Sequence, residues 1–457
     1  MIDQIVSQLE RTEGVDDWTL RRRRARSAQL YLIGHDVESV REVDTEEYEV
    51  EVFNDHAFPK DFRDRGGAPP QGLARGVTSI KLISADRGRL QQRVEDAVTM
   101  ARLVHNPAFT LPEHGTYPDV PLADPLLATA DSSRNALDAF ADELAGYVAA
   151  EKGVRLSAAE LFLTLAETEL RNSRGVQVGA SGTRILAELV LLTHGQSGGD
   201  EAEYFRQIEA RRLSDLRLGE VVAESARYAR DTLRAQAPRT RVGPVVLSGE
   251  ALVTLFEAFT FHASARAAYM KLVSAEVGQG MLGDRALKGD ALTIRSNALR
   301  PFALGAHRFD GDGVPGREVT LVEGGVLRQR LANSRYAQYL GIPVTGEAGT
   351  TEVEPGKTPL SELLRGPVLH VVKFSSPEID PVTGDFGSEI RLAYEVDGES
   401  VTPVKGGSVS GNVFDAFAAA RFSSSTTYQV AAGFSAGGGD YFGPEAVRFE
   451  SLRVAGE

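Results

Sequence analysis

The chain contains no cysteine. Disulfides, thiolate metal ligands and thiol nucleophiles are all excluded, and with them every cysteine-based zinc site. Histidine is sparse and scattered. His35, His56, His105, His114, His194, His262, His307 and His370 include no two within one helical turn, so no local chelate exists. No run of about 18 apolar residues occurs, which argues against a membrane-spanning helix and a membrane partner. The first 14 residues are acidic and polar, without the apolar core of a secretion signal, so cytoplasmic residence is the expectation. Positive charge is in deficit. The 50 Lys and Arg face 64 Asp and Glu, a net charge of −14, which disfavours a nucleic-acid partner. The local exception is Arg21-Arg22-Arg23-Arg24. It reads as a solvated helix end or strand entry, with an anionic-partner patch as the alternative.

What is present is ordinary globular composition: 457 residues, 42% hydrophobic and 25% charged. That length suggests two or three packed units. Residues 1–11 carry Ile2, Ile5, Val6 and Leu9 on one helical stripe. Strand patterns follow at 27–33, 48–52 and 76–84, with a Gly-Pro loop at 66–70. Asp86 is expected to cap a helix bearing Leu90, Val94, Val98 and Ala101. Residues 105–128 hold five prolines and read as a connector. Asp131 or Ser132 is expected to cap a helix to about 151. Strands at 161–170, 176–178 and 185–192, a polar tip at 195–200 and a helix at 218–235 complete this half.

A boundary is expected near Pro238. The remainder is rich in Gly, Val, Ser and Thr and reads as strands at 245–247, 318–322, 326–331, 368–374, 388–396, 400–404 and 447–454. Short helices are embedded at 334–340 and after 411. Ser248 is expected to cap a further helix. The fold class is therefore α+β. Layered α/β units at 1–236, in two parts at about 1–104 and 131–236, precede a β-rich domain at 237–457.

Serine-nucleophile and phosphate-loop readings fail. Neither Gly179-Ala180-Ser181-Gly182 nor Ser408-Val409-Ser410-Gly411 is a G-x-S-x-G elbow. Gly437-Gly438-Gly439-Asp440 lacks the Lys-Ser/Thr of a P-loop. Asp310, Asp312 and Asp385 lack the twelve-residue calcium-loop pattern and read as turn residues.

Several motifs occur in order. They are Asn172-Ser173-Arg174-Gly175, Phe309-Asp310-Gly311-Asp312-Gly313, Glu323-Gly324-Gly325-Val326-Leu327 and Asp380-Pro381-Val382-Thr383-Gly384-Asp385-Phe386. Pro403-Val404-Lys405-Gly406-Gly407-Ser408-Val409-Ser410-Gly411-Asn412 is the most specific. Together they resemble the TldD/PmbA family. The resemblance implies a peptidase pair, in which the TldD-type subunit carries H-E-x-x-x-H and a C-terminal cysteine as zinc ligands. In those places this chain has Phe256, Glu257 and Phe261, and no cysteine anywhere. Phenylalanine offers a metal no lone pair, and a glutamate without a metal-bound water has little to activate.

The resemblance thus implies the PmbA/TldE type. Such a chain is a noncatalytic subunit with no cofactor of its own, zinc being held only by a TldD-like partner. The expected assembly is a heterodimer or, failing that, a homodimer acting on peptides. Phe256, Phe259 and Phe261 then read as core residues filling a vacated metal site. An active metallopeptidase with unusual ligands, and a stand-alone peptide-binding or scaffold homodimer, are the alternatives. The stretch 404–409, with Val404, Gly406, Gly407 and Val409, is a candidate peptide-groove wall or, equally, an interior strand.

Overall fold

The computed structural model describes residues 1–63, 72–127, 129–195, 200–430 and 439–456. The expected loop at 66–70, most of the tip at 195–200, and Gly437 with Gly438 lie outside them.

The N-terminal half is built on one antiparallel sheet. Its strands are β1 (Asp17–Ile33), β2 (Asp36–Ala57), β3 (Leu73–Leu82), β4 (Asn106–Pro107), β5 (Val154–Asn172), β6 (Gln177–His194) and β7 (Glu201–Ala210), in spatial order β4-β3-β2-β1-β5-β6-β7. The two stretches on either side of the proline-rich connector thus meet at β1, which pairs with β2 on one side and β5 on the other. Four helices lie on this sheet. α1 (Ile2–Arg11) and α2 (Leu90–Ala101) bury Ile5, Leu9, Val94 and Val98 against Trp18, Leu20 and Val50. α3 (Ala130–Ala150) and α4 (Leu218–Arg234) cover Leu30, Leu32, Leu161 and Leu189.

Several local expectations are corrected here. The arginine run is neither a helix end nor a strand entry. It lies well inside β1, where Arg21, Arg22 and Arg24 pair with Glu49, Glu46 and Asp44 of β2. Three of the four charges are thereby met within the hairpin, which disfavours the anionic-partner patch. Thr129, not Asp131 or Ser132, is the N-cap of α3, accepting from the Ser132 amide at 3.1 Å. Asp86 sits in a 3-10 turn ahead of α2 and accepts from the Ile83 amide at 3.0 Å. β7 went unread in the sequence. The strands expected at 161–170 and 185–192 are parts of longer ones.

The C-terminal half carries β8 (Arg241–Ser248), β9 (Ile294–Asn297), β10 (Glu318–Glu323), β11 (Val326–Leu327), β12 (Thr350–Val353), β13 (Val368–Phe374) and β14 (Glu378–Ile379). They are followed by β15 (Asp385–Asp397), β16 (Ser400–Val404), β17 (Ser408–Asn412), β18 (Arg421–Phe422), β19 (Thr426–Val430), β20 (Asp440–Pro444) and β21 (Ala446–Ala455). One sheet runs β13-β8-β21-β17-β15, and a β13–β15 pairing closes that path on itself. A six-stranded sheet, β11-β10-β9-β12-β20-β19, packs beside it. A single apolar cluster from Val245 to Val454 fills the space between. The observed class is α+β, sheet-rich toward the C-terminus.

The joint between the halves combines small apolar clusters, such as Leu170, Val176 and Val178 with Phe309, and specific polar contacts. Arg21 donates from Nη2 to the Gly311 carbonyl at 2.7 Å. Tyr117 donates to the Gly313 carbonyl at 3.0 Å. The Asn172 turn lies beneath. Its side-chain oxygen accepts from the amides of Arg174 and Val176 at 2.9 and 3.0 Å, and Ser173 and Arg174 both bind Asp17. Asp17 is 2% exposed and also receives Arg75 at 2.8 Å. These bonds hold its carboxyl below the usual range, although burial alone pushes the other way.

Candidate functional site

The segment after β8 is not one helix. α5 (Glu250–Val253) passes into a 3-10 turn at Thr254–Phe256, and α6 (Glu257–His262) follows. Ser248 does not cap it; the N-cap is Gly249, at φ 58°. Ser248 Oγ instead shares a 2.8 Å hydrogen bond with His370 Nε2, and burial holds that imidazole down at about 4.

The backbone stays helical through this turn, and burial distinguishes the motif residues. Phe256 faces inward and is 1% exposed. Its ring stacks on Tyr441 and meets Phe417 edge-on at 5.4 Å. Phe259 is also fully buried, against Phe414 at 5.5 Å and Phe417 at 4.9 Å. Phe261 is different. It is half-buried, and its ring contact is with His262 at 6.3 Å. The expectation that all three phenylalanines fill one core is thus corrected for Phe261. Phe256 and Phe261 thus have different burial and different ring partners.

Glu257 is exposed on α6, yet the surrounding protein raises its carboxyl pKa by desolvation. No ion pair reaches Glu257 among the described residues. His262 is pinned rather than free. Its Nε2 lies 3.1 Å from the Val382 carbonyl and its ring 4.7 Å from Phe414. Burial lowers its pKa. The residues at the ligand positions do not fit zinc: one is core aromatic carbon, the other a surface ring. Among the described residues no cluster of three or more His, Asp or Glu is placed to hold a metal ion.

The motifs converge here as scaffold. Asp380 accepts from the Val382 amide at 2.8 Å and so shapes the turn that holds His262. Asn412 ties two motifs together. Its Nδ2 donates to the Thr383 carbonyl and to Asp385, both at 2.9 Å, while its oxygen caps the short helix Val413–Phe417 through the Phe414 amide at 3.1 Å. Gly384 has φ 79°, and a Cβ there would come within 2.6 Å of the Phe414 ring. This glycine therefore lets Phe414 seat between His262 and Phe259. The linkage was not read from the sequence, although the asparagine ahead of an apolar run was a capping signal.

The candidate groove wall is corrected. Val404 and Val409 are fully buried core residues. They lie on different strands, β16 and β17, joined by Gly406 and Gly407 in a left-handed turn at φ 75° and 65°. The backbone that approaches Gly407 is the chain's own: a Cβ would stand 2.1 Å from the Ala455 carbonyl oxygen. β17 lies between β15 and β21, so it is not an edge.

At Asp310 the buried carboxylate accepts from the amides of Asp312, Val314 and Glu347 at 3.0, 2.8 and 3.1 Å. Burial nevertheless raises its pKa to about 6, and that of Asp312 likewise, with Asp310 and Glu347 adding repulsion to the latter. These aspartates shape the loop whose Gly311 and Gly313 carbonyls meet Arg21 and Tyr117.

Residues 240–456 match the family model described as PmbA/TldA metallopeptidase C-terminal domain. Metalloprotease PmbA of Escherichia coli O157:H7 is 27% identical over 254 residues, covering 53% of this chain and 54% of its own length. A zinc metalloprotease TldD homolog of Saccharolobus solfataricus is 23% identical over 215 residues, 43% of this chain and 46% of its own length. The chain spans about half the length of these curated relatives. The crystal structure of TldE from Thermococcus kodakarensis superposes with a TM-score of 0.78 over 99% of both chains at 16% identity, a likeness of fold. No described helix is long and apolar enough to cross a membrane. Residues 240–456, with the motifs they carry, match the C-terminal domain of the TldD/PmbA family, and the chain as a whole shares its fold with TldE.

Proposed function

We propose that the chain is a noncatalytic subunit of the PmbA/TldE type. It completes a TldD-type metallopeptidase that processes unfolded peptides in the cytoplasm, and zinc belongs to the partner alone. The observation that carries this reading is Phe256. The position of the family's first zinc ligand is here a side chain 1% exposed and stacked on Tyr441. Burying such a ring stabilises the fold by about 1.5–3 kcal/mol, so the position now serves packing. Glu257 keeps the place of a general base, but Phe256 and Phe261 beside it offer no lone pair to hold the metal whose bound water it would deprotonate.

The test is elemental analysis and a peptidase assay on the chain alone, then with a TldD-type partner. The expected result is no stoichiometric zinc and no hydrolysis alone, with chelator-sensitive hydrolysis in the mixture. Glu257→Gln should leave the mixture's rate nearly unchanged. A general base contributes about 10²–10⁴-fold, so a loss of that size in a folded variant would overturn the reading.

A further inference from the structure

A small cavity lies between the two halves of the chain. Its volume is about 130 Å³, room for on the order of ten non-hydrogen atoms. The N-terminal half supplies Glu203 and Phe205 of β7. The C-terminal half supplies Lys373 and Phe374 of β13 and Arg391 of β15. Clefts between packed units are common places for small ligands. Phe205, an exposed ring, and Phe374, a buried one, give this cleft apolar walls.

Irregular strand pairing brings the two cations to this place. Val371 of β13 faces Ala393 of β15, and Lys373 faces Leu392, so Val372 is an extra residue on β13. Phe374 then faces Ile390, which leaves Arg391 as an extra residue on β15. Two bulges thus fall side by side. A bulge interrupts the ladder and re-aims side chains, and bulges recur beside functional sites. This pair of bulges sets a lysine and an arginine at one cavity, where like charges on neighbouring strands repel. Burial, with repulsion from Arg206 and Arg391, holds the Lys373 amine below the usual lysine range, although Glu250 pulls the other way.

The charges at the cavity are incompletely met by the protein. Lys373 Nζ donates to the Phe205 carbonyl and lies 3.7 Å from Glu250. That carboxylate is shared, because Arg206 reaches it at 3.1 Å. Arg391 is exposed, and its side chain makes no ion pair or hydrogen bond among the described residues. The same holds for Glu203. The two do not pair with each other, although both border the same cavity. Unpaired charge of both signs therefore remains, the acid on the N-terminal wall and the base on the C-terminal wall. A plain anion would be repelled by Glu203, and a plain cation by Arg391 and Lys373. A ligand that carries both charges meets an opposite charge on each wall.

We propose that this cavity binds a free α-amino acid with a small aliphatic side chain. Its carboxylate lies against Arg391 and Lys373, its ammonium against Glu203, and its side chain between Phe205 and Phe374. Because the two walls belong to different halves, the bound ligand ties them together. The inference does not rest on the loss of the zinc site.

The test titrates the full chain with L-valine and with two truncated forms, isovalerate, which lacks the amine, and isobutylamine, which lacks the carboxylate. Binding is read by saturation-transfer NMR on the ligand. Valine should bind with a Kd of about 1 mM or tighter. Each truncated form should bind about tenfold more weakly, since one hydrogen-bonded charge is lost. Arg391 and Glu203 are exposed, so Arg391→Gln and Glu203→Gln should both fold, with the melting temperature of the ligand-free chain unchanged. Each should weaken valine by about tenfold, and Glu203→Gln should leave isovalerate no weaker than before. Equal binding of isovalerate and valine to the unaltered chain would make the cavity a plain anion site and overturn the proposal. So would unchanged valine affinity in both variants, or no saturation transfer at about 10 mM valine.

Discussion

The ring of Phe256 lies 5.2 Å from that of Tyr441, with their planes 21° from parallel. Phe256 thereby bridges the degenerate helix to β20, a strand from the other end of the domain. Phe261, five residues on, has no such anchor. The two positions should therefore behave differently. Phe256→Ala should cost about 3–5 kcal/mol of stability, the range for deleting a buried aromatic ring. Phe261→Ala should cost well under half of that. Urea denaturation of both variants checks this, and similar losses at the two sites would contradict the placement.

Restoring histidine should not restore a site. In the double variant Phe256→His, Phe261→His, one imidazole would be buried among Tyr441, Phe417 and Phe259 while the other sits at the surface. Exchanging a buried ring for a polar group without a partner costs several kcal/mol, on the order of 2–5. A lower melting temperature and no tight zinc binding are expected in calorimetry. Tight binding with peptide hydrolysis would show a preformed site.

Gly384→Ala combines two penalties. The residue sits at φ 79°, and its new methyl would meet Phe414 at 2.6 Å. A destabilisation of about 1–3 kcal/mol is expected. Loss of the Phe414 seat should also free His262. The proton resonances of His262 report this directly, and an unshifted His262 spectrum would place the two rings further apart than they are here.

The two joint aspartates give a pH signature. Asp310 and Asp312 both have folded pKa values of about 6, against 3.8 for an ordinary aspartate. The folded chain therefore binds protons that the unfolded chain does not between about pH 4 and 6. Stability from these groups rises as pH falls through about 6. Asp312→Asn should flatten the rise in melting temperature between pH 7.5 and 5, whose unflattened persistence would assign it elsewhere.

Much of the fold was legible because it was local. The helix Ser334–Leu340, the strands Val368–Phe374 and Ser400–Val404, and α1 follow from apolar spacing and turn residues. What escaped was set by distant partners. Arginines at 21–24 do not look like a strand until Glu49, Glu46 and Asp44 stand opposite them. β7 alternates Ala202, Tyr204, Ile208 and Ala210, but Arg206 interrupts the pattern, and its distant partners, Glu250 at 3.1 Å and Glu224 at 3.8 Å, account for it. The site divides the same way. That Phe256 packs inward follows from its chemistry. That Phe261 stays half-buried depends on what the rest of the fold packs around α6, which no spacing rule signals.

The central place of β1 bears on how the chain is made. Its second neighbour, β5, begins at Val154. At about 5–20 residues per second, β1 leaves the ribosome on the order of ten seconds before β5. Through that interval one side of a seventeen-residue strand has nothing to pair with. β2, complete at Ala57, has by then met Arg21, Arg22 and Arg24 with its acids. The nascent hairpin therefore waits for β5 with an open edge flanked by paired charge, which limits premature association.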